Sequence, residues 1–309
     1  MNIRATLAGQ SRPRYLMCSP QHFAVTYTIN PWMDPKTWAE SGAALHATAA
    51  QQWDGLHRAL IRHGAHVEVL EPARGMPDLV FTANAAVVLD GKALLSRFRH
   101  PERRREQPVY AEGLLALKEL GLIDTVIEPP DGVVLEGAGD CLWDARRGLF
   151  WMGCGFRSDK DAAAVVDNTF GVPCVPLDLA DPSFYHLDTA LCPLPCGGMI
   201  YHPGAFTPEA RAVIELRVAP ADRIALDAAD AEMFAANAVC FGRVIVMSSC
   251  RAALRGTLEQ RGYTVVTTLL SAFLRSGGSA CCLTLRLDHS SQTATETVSL
   301  RATAGHAAR

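Results

Sequence analysis

Residues 275–287 read RSGGSACCLTLRL. Two glycines lead into a vicinal pair, Cys281 and Cys282, on a segment whose apolar alternation predicts a late strand. Neighbouring side chains of a strand point to opposite faces. Cys281 then shares a face with Leu283, Leu285 and Leu287, which is apolar, and Cys282 shares the other with Thr284 and Arg286. On that reading Cys281 packs into a core and Cys282 is placed to meet a ligand. A thiolate is a strong nucleophile where its surroundings lower its pKa. The competing reading is two cysteines buried in a sheet, since free cysteine is among the most buried residue types.

Upstream of this stretch, strand-like runs recur: AHVEVLEP (65–72), LVFTANAAVVL (79–89), KALLS (92–96), GLFWMG (148–153), GMIYHPG (198–204), RVIVMSS (243–249) and YTVVTTLL (263–270). The last of the set is CLTLRL (282–287). Helical patterns fall between them at 37–63, 109–120, 159–170, 208–215, 230–237 and 250–261, the last followed by Gly262 as a stop. Strand pair, helix, strand is the repeating rhythm, which predicts an α/β fold. No Pro/Gly-rich or polar linker divides the chain, so residues 1–289 are expected to form one catalytic domain. Residues 290–309 read as a polar, loosely held tail in which 296–300 has the alternation of one edge strand.

Composition narrows the function. The 309 residues are 49% hydrophobic and 20% charged, which suits a soluble protein with a large core. Net charge is −3 and the one basic cluster, 97–105, is short, so a nucleic-acid partner is not expected. The first twenty residues lack a stretch of signal-peptide character, and no apolar run reaches bilayer-spanning length. Ten dispersed cysteines without an export signal predict free thiols in a reducing cytoplasm.

Four further segments break local rules. In MPDLVFTAN (76–84), Asp78 precedes an apolar run and Asn84 sits inside it, although asparagine is poorly suited to strands. In LEGAGD (135–140), Glu136 and Asp140 flank a glycine turn that lets backbone approach closely. In YHLDT (185–189), His186 and Asp188 share a face if the segment is extended. In GCGFRSD (153–159), Arg157 follows a glycine turn at a helix start, where a ligand carboxylate can be gripped. Each has a plainer reading on its own: a capped turn, a surface loop, a hydrogen-bonded histidine, a solvated arginine. Together they are chemically coherent. A thiol supplies a nucleophile, a histidine does acid/base work near neutral pH, and carboxylates bind a planar cation by paired hydrogen bonds. The reaction they suit is attack of a thiolate on a guanidinium carbon.

With MPDLVFTAN, LEGAGD, GFRSD, HLDT and GGSACCLT in this order, and MCSPQHFAVTYTINPWM (17–33) before them, the chain resembles the guanidine-modifying superfamily. Its members, the penteins, include amidinotransferases, arginine deiminases and dimethylarginine dimethylaminohydrolases. The resemblance implies a five-bladed α/β propeller of ββαβ units with the site in the central channel and neither metal nor cofactor. The INPWM and FTAN segments look most like arginine dihydrolases. By resemblance, Cys282 is the nucleophile, His186 the general acid/base and Glu136 the carboxylate that assists it. Asp78 and Asp188 hold the guanidinium nitrogens, and Asn30 and Asn84 match asparagines of the dihydrolase branch. Arg157 matches a substrate-carboxylate binder, with Arg97 and Arg99 as competing candidates. One departure is the extra residue in Glu136-Gly-Ala-Gly-Asp140 where deiminases read Glu-Gly-Gly-Asp, which puts Asp140 in question as a contact.

The expected activity is hydrolysis of guanidinium C–N bonds in arginine or a close derivative through a thiouronium intermediate, giving ornithine or citrulline and ammonia. Dimethylarginine hydrolysis and amidino transfer are the alternatives within the family. A non-catalytic binding protein on the same fold, and a zinc protein using His186, Cys192 and Cys196, are the alternatives outside it. The expected partner is a small guanidino substrate, with neither nucleic acid nor membrane; a homo-oligomer is compatible with the sequence.

Overall fold

The computed structural model describes residues 12–292. Within them lie five sheets of three strands each. In chain order the strands are β1 (Arg14–Cys18), β2 (His66–Leu70), β3 (Ala86–Leu89), β4 (Lys92–Leu95), β5 (Thr125–Ile127), β6 (Cys141–Asp144), β7 (Leu149–Cys154) and β8 (Cys174–Asp178). They continue as β9 (Leu191–Pro193), β10 (Met199–Tyr201), β11 (Arg223–Ala225), β12 (Val239–Phe241), β13 (Val244–Met247), β14 (Thr264–Thr267) and β15 (Leu285–Arg286). Four sheets use consecutive strands: β3-β4-β5, β6-β7-β8, β9-β10-β11 and β12-β13-β14. In each, the first two strands are antiparallel and the third runs parallel to the second. A parallel return needs a crossover. Helices Glu106–Glu119, Ala162–Phe170, Pro208–Arg217 and Ala252–Gln260 supply it, so every unit is ββαβ. The fifth sheet, β15-β1-β2, joins the two ends of the described chain. Tyr15 pairs with Arg286 and Leu16 with Leu285, antiparallel. This is the five-bladed α/β propeller that the resemblance implied.

The crossovers start and stop where local chemistry directs. Pro208 follows Thr207, whose hydroxyl caps Ala210 N–H. Helix Ala162–Phe170 ends on Gly171 at φ 68°. The long helix Pro35–Arg62 is capped by Asp34 and kinks at Ser41. Its Leu56 and Leu60 are fully buried in an aromatic cluster with Phe23, Phe81 and Phe273, each burial contributing roughly 1.5–3 kcal/mol. That cluster also holds Cys282.

Two strand expectations are corrected. Of the run 79–89, only Ala86–Leu89 is strand, and Pro77–Val80 and Thr82–Ala85 are 3-10 turns. Side chains there replace a neighbouring strand: Tyr110 Oη donates to the carbonyls of Leu79 and Phe81. Thr82 Oγ1 bonds those of Leu16 and Leu283. Of the run 282–287, only Leu285–Arg286 pairs. Cys281 and Cys282 lie instead in a helical turn, with Leu283 N–H on Ser279 O and Thr284 N–H on Cys281 O. Asp78 and Asn84 therefore lie on two such turns and not along one strand, and the HLDT segment is not extended: Leu187–Ala190 is one turn of helix that His186 precedes. The tail from 293 onward, including 296–300, lies outside the described residues. Among the described residues no helix is long and apolar enough to cross a membrane. All ten cysteines are free thiols.

Candidate active site

Segments from all five blades converge on a small cavity whose wall includes Asn30, Asp78, Asn84, Arg157, His186 and Cys282. His186 is buried, and its Nε2 lies 2.8 Å from Glu136 Oε2. The same oxygen accepts from Arg157 Nη1 at 3.0 Å, and Glu136 Oε1 accepts from the Arg99 backbone N–H at 3.1 Å. Burial alone would raise the Glu136 carboxyl; Arg157 and the His186 hydrogen bond overcome it and hold the group far below the usual carboxylate range. Burial pushes the His186 imidazole down to about 4, with Glu136 pulling the other way. The imidazole is therefore neutral at pH 7. An ionised Glu136 fixes the proton on Nε2, which leaves Nδ1 as a base.

Stability should register this burial. A base whose pKa falls on folding binds fewer protons in the fold between the two values. Its contribution is complete above about pH 6.5 and is lost as pH falls toward about 4. Asp188 and Glu106, each pushed up to about 7 by burial, run in the opposite direction over the same range. The melting temperature of the wild type should therefore fall more steeply with acidification than that of His186→Asn. Parallel curves would remove His186 from the acid sensitivity.

Three of the segments are locked together behind the histidine. Asp140 Oδ1 accepts from Leu187 N–H at 3.1 Å, and its Oδ2 accepts from Ser158 Oγ at 2.6 Å. Ser158 Oγ in turn accepts from Glu136 N–H at 3.0 Å. Asp140 thus fastens LEGAGD, GFRSD and HLDT to one another and is not on the cavity wall. Gly139 permits the close approach: a Cβ there would stand 2.3 Å from Asn84 Nδ2.

Cys282 Sγ lies 3.0 Å from Asp188 Oδ2 and 3.0 Å from Asn237 Nδ2. Burial pushes the Cys282 thiol well above its ordinary value, and Asp188 pushes it further. Asp188 Oδ1 is buried with no hydrogen-bond partner. Cys281 faces away: it is half-buried and lines a separate cavity of about 730 Å³ together with Cys192 and Cys240. That corrects its expected place among core leucines. The double glycine serves the same loop. A Cβ at Gly278 would stand 2.4 Å from the Phe81 ring, and one at Gly277, where φ is +81°, 2.8 Å from that of Tyr185.

Elsewhere on the wall, Asp78 accepts from Tyr27 Oη at 2.8 Å and from Ser276 Oγ at 3.4 Å. Burial raises its carboxyl. Asn30 bonds Ser276 O through Nδ2 and Trp32 N–H through Oδ1. Asn84 Nδ2 donates to Glu136 O, and its Oδ1 accepts from Arg103 Nη1. Arg157 stacks over the Tyr185 ring at 4.4 Å and donates to Ile29 O.

Three predicted site residues are not on the cavity wall: Glu136 and Asp188, which bond His186 and Cys282 that are, and Arg99. The Arg99 side chain is committed to Asp159 Oδ1 and Arg157 O. Arg97 points elsewhere, to Pro130 O and Asp131. The zinc alternative does not assemble: His186 bonds Glu136, Cys192 faces Cys240 at 3.5 Å, and Cys196 is exposed. Two residues that sequence reasoning missed take part. Arg103, buried against Glu106 at 2.7 Å, reaches Asn84 and the Asp78 carbonyl from within a basic run that reads as surface. Its one signal is the Arg103/Glu106 spacing of a helical ion pair. Asn237 closes a run of alanines and carries no signal of its own.

Comparison with known proteins agrees with this geometry. The family model described as N,N dimethylarginine dimethylhydrolase, eukaryotic, matches residues 19–289. The bifunctional arginine dihydrolase/ornithine cyclodeaminase AgrE of Nostoc sp. is 43% identical over 277 residues, 90% of this chain and 38% of AgrE. The chain thus spans under two fifths of that relative's length. An N(G),N(G)-dimethylarginine dimethylaminohydrolase of Mycobacterium tuberculosis is 37% identical over 275 residues, 89% of this chain and 85% of the relative. Among solved structures, the N-terminal domain of ArgZ is similar. It is a cysteine-to-serine mutant bound to substrate, of an arginine dihydrolase from the ornithine-ammonia cycle in cyanobacteria. It superposes with a TM-score of 0.84 at 40% identity, covering 90% of this chain and 99% of that one. A match over nearly the whole described chain, with relatives of this identity, means that the protein belongs to the dimethylarginine dimethylhydrolase family of the guanidine-modifying pentein superfamily.

Proposed function

We propose that this protein hydrolyses arginine on Cys282 in two rounds: a guanidinium C–N bond through a covalent thiouronium, then the ureido product, with loss of the second ammonia, through a thiocarbamate whose hydrolysis leaves a carbamate that loses carbon dioxide. The products are ornithine, carbon dioxide and two molecules of ammonia. The observation that carries this reading is a buried Cys282 thiol, 3.0 Å from Asp188, sharing one small cavity with a buried, neutral His186. The similarity to arginine dihydrolases supports the substrate.

The site suits a cation. Burial raises both Asp78 and Asp188, and Asp188 has an oxygen without a partner. A guanidinium between them supplies the missing donors by paired hydrogen bonds. Its positive charge favours ionised Asp188 and ionised Cys282 alike. The thiol proton passes to His186 Nδ1, and the sulfur attacks the guanidinium carbon, forming the C–S bond. His186 returns that proton to a terminal nitrogen as the C–N bond breaks, and ammonia leaves. The histidine then takes a proton from water, whose oxygen attacks the thiouronium carbon. The C–S bond breaks, citrulline forms and the sulfur is regenerated. Glu136 holds the imidazole and offsets its charge in each transfer. Ten free thiols fit a reducing cytoplasm.

Asn84 is the residue assigned to the second round. Its Oδ1 holds Arg103 and one of its amide hydrogens goes to Glu136 O, which leaves one N–H. A neutral ureido oxygen accepts such a donor; a guanidinium has no use for it. Wild-type protein given arginine should yield ornithine and two ammonia per arginine, read by mass. Asn84→Asp should shift the products toward citrulline. Citrulline with a single ammonia from the wild type would leave a deiminase. The M. tuberculosis relative favours dimethylarginine as the second reading. An alkylated nitrogen facing Asp188 leaves an oxygen unpaired, at a cost of roughly 1–3 kcal/mol. Inert arginine, with dimethylarginine converted to citrulline and dimethylamine, would establish that second reading.

A further inference from the structure

Asn237 bonds the nucleophile's segment through both the oxygen and the nitrogen of its amide. It is fully buried, and it approaches from the loop that leads into β12. Its Oδ1 accepts from both Cys281 N–H, at 2.9 Å, and Cys282 N–H, at 3.2 Å. Its Nδ2 donates to Asp188 O at 3.1 Å and to Cys282 Sγ at 3.0 Å. One planar amide therefore ties together the carbonyl of the residue that binds the sulfur, the backbone that carries it, and the sulfur itself. An amide N–H on sulfur is a donor, so it is worth more to an anion than to a neutral thiol.

We propose that Asn237 is a catalytic residue: its amide N–H stabilises the Cys282 sulfur as an anion and aims it into the cavity. The proposal rests on the reading of Cys282 as nucleophile. Asp188 opposes it across the sulfur, since a carboxylate at 3.0 Å disfavours an anion there until a cation neutralises it. Asn237 and Asp188 thus form a pair of opposite effect, one favouring the thiolate, the other opposing it until guanidinium is bound. Tyr185 and the adjacent Cys281, which lines the other cavity, also lie near the sulfur, and Ser279 N–H is a backbone donor to it. The charged or titratable groups across the cavity are Asp78, Arg103, Arg157 and His186.

Asn237→Asp is the direct test. It keeps an oxygen for the two backbone N–H groups but puts a carboxylate in place of the donor, so the uncharged Asn237→Ser is measured beside it and the shift must appear in both. The readout is the rate at which iodoacetamide alkylates Cys282 as a function of pH, followed by peptide mass in a Cys281→Ser background so that the other cysteines do not enter. The midpoint of that profile should move up by about one pH unit or more. Turnover should fall roughly 100-fold with KM changed by less than about threefold, because the donor acts on the sulfur and not on the substrate. Should Asn237→Asp not fold, Asn237→Ser alone, whose hydroxyl serves one backbone N–H and does not reach the sulfur, should show the same upward shift. An unchanged alkylation profile in either folded variant overturns the proposal, whatever the substrate. Alkylation needs no guanidino compound, so a shifted profile in a protein inert toward arginine would uphold Asn237 while removing the substrate assignment.

Discussion

Cys282→Ser should abolish turnover, a loss on the order of 10⁴-fold or more, while Cys281→Ser should keep most of it. A serine hydroxyl in place of the sulfur has the same neighbours, Asp188 Oδ2 and Asn237 Nδ2. It cannot ionise in this pH range, so substrate should still bind while no covalent intermediate forms. Cys281 is the control because it is the adjacent residue and reaches a different space. It lines the larger cavity, and burial pushes its thiol well above the ordinary value, as does Asp188. The measurements are product formation and, for the wild type, trapping of a mass adduct on the peptide that contains both cysteines. An active Cys282→Ser with a dead Cys281→Ser would invert the assignment of the two faces.

That assignment shows how a sequence argument reaches a position through the wrong element. Alternation along a strand separates Cys281 from Cys282 by pointing them to opposite faces. The structure puts both in a helical turn, where successive side chains diverge by about 100°. Either geometry sends two consecutive residues into different spaces, so Cys282 still meets the cavity. Cys281, however, meets the second cavity and not the leucines. The blade rhythm was legible in part: every unit has at least one strand with an apolar run and a helix period beside it, whereas β1, β5, β6, β8, β9, β11 and β12 carried no run of their own. The blade made of β15, β1 and β2 was not legible as a unit, because its strands come from opposite ends of the chain. Motif residues such as Asp78 and Glu136 stood out by being polar where their neighbours are apolar. Arg103 and Asn237 did not. Asn237 meets its partners only through folding, across 45 residues to the sulfur and 49 to the Asp188 carbonyl. Arg103 carries the same composition as the exposed arginines beside it.

The second large effect concerns Glu136, where stability and catalysis meet in one carboxylate. Glu136→Gln should cost about 3–5 kcal/mol in urea unfolding, because Arg157 is then a buried charge without its counter-ion. Both groups of that pair are almost wholly inaccessible, at 2% and 0% side-chain exposure, so water cannot take the carboxylate's place. Turnover should fall by roughly 10²–10⁴-fold, since the amide neither offsets an imidazolium nor fixes the proton on Nε2. The two losses can be separated. Removing the charge as well, in Glu136→Gln with Arg157→Met, takes away the unpaired cation and fills its place over the Tyr185 ring with apolar bulk. Replacing both members of a buried ion pair is often neutral for stability, whereas removing one is not. The double variant should therefore recover much of the unfolding free energy while remaining inactive, because nothing restores the carboxylate 2.8 Å from His186. A single variant as stable as wild type would mean that Arg157 does not depend on Glu136 for its charge. Recovered turnover in the double variant would remove the carboxylate from the proton path of His186.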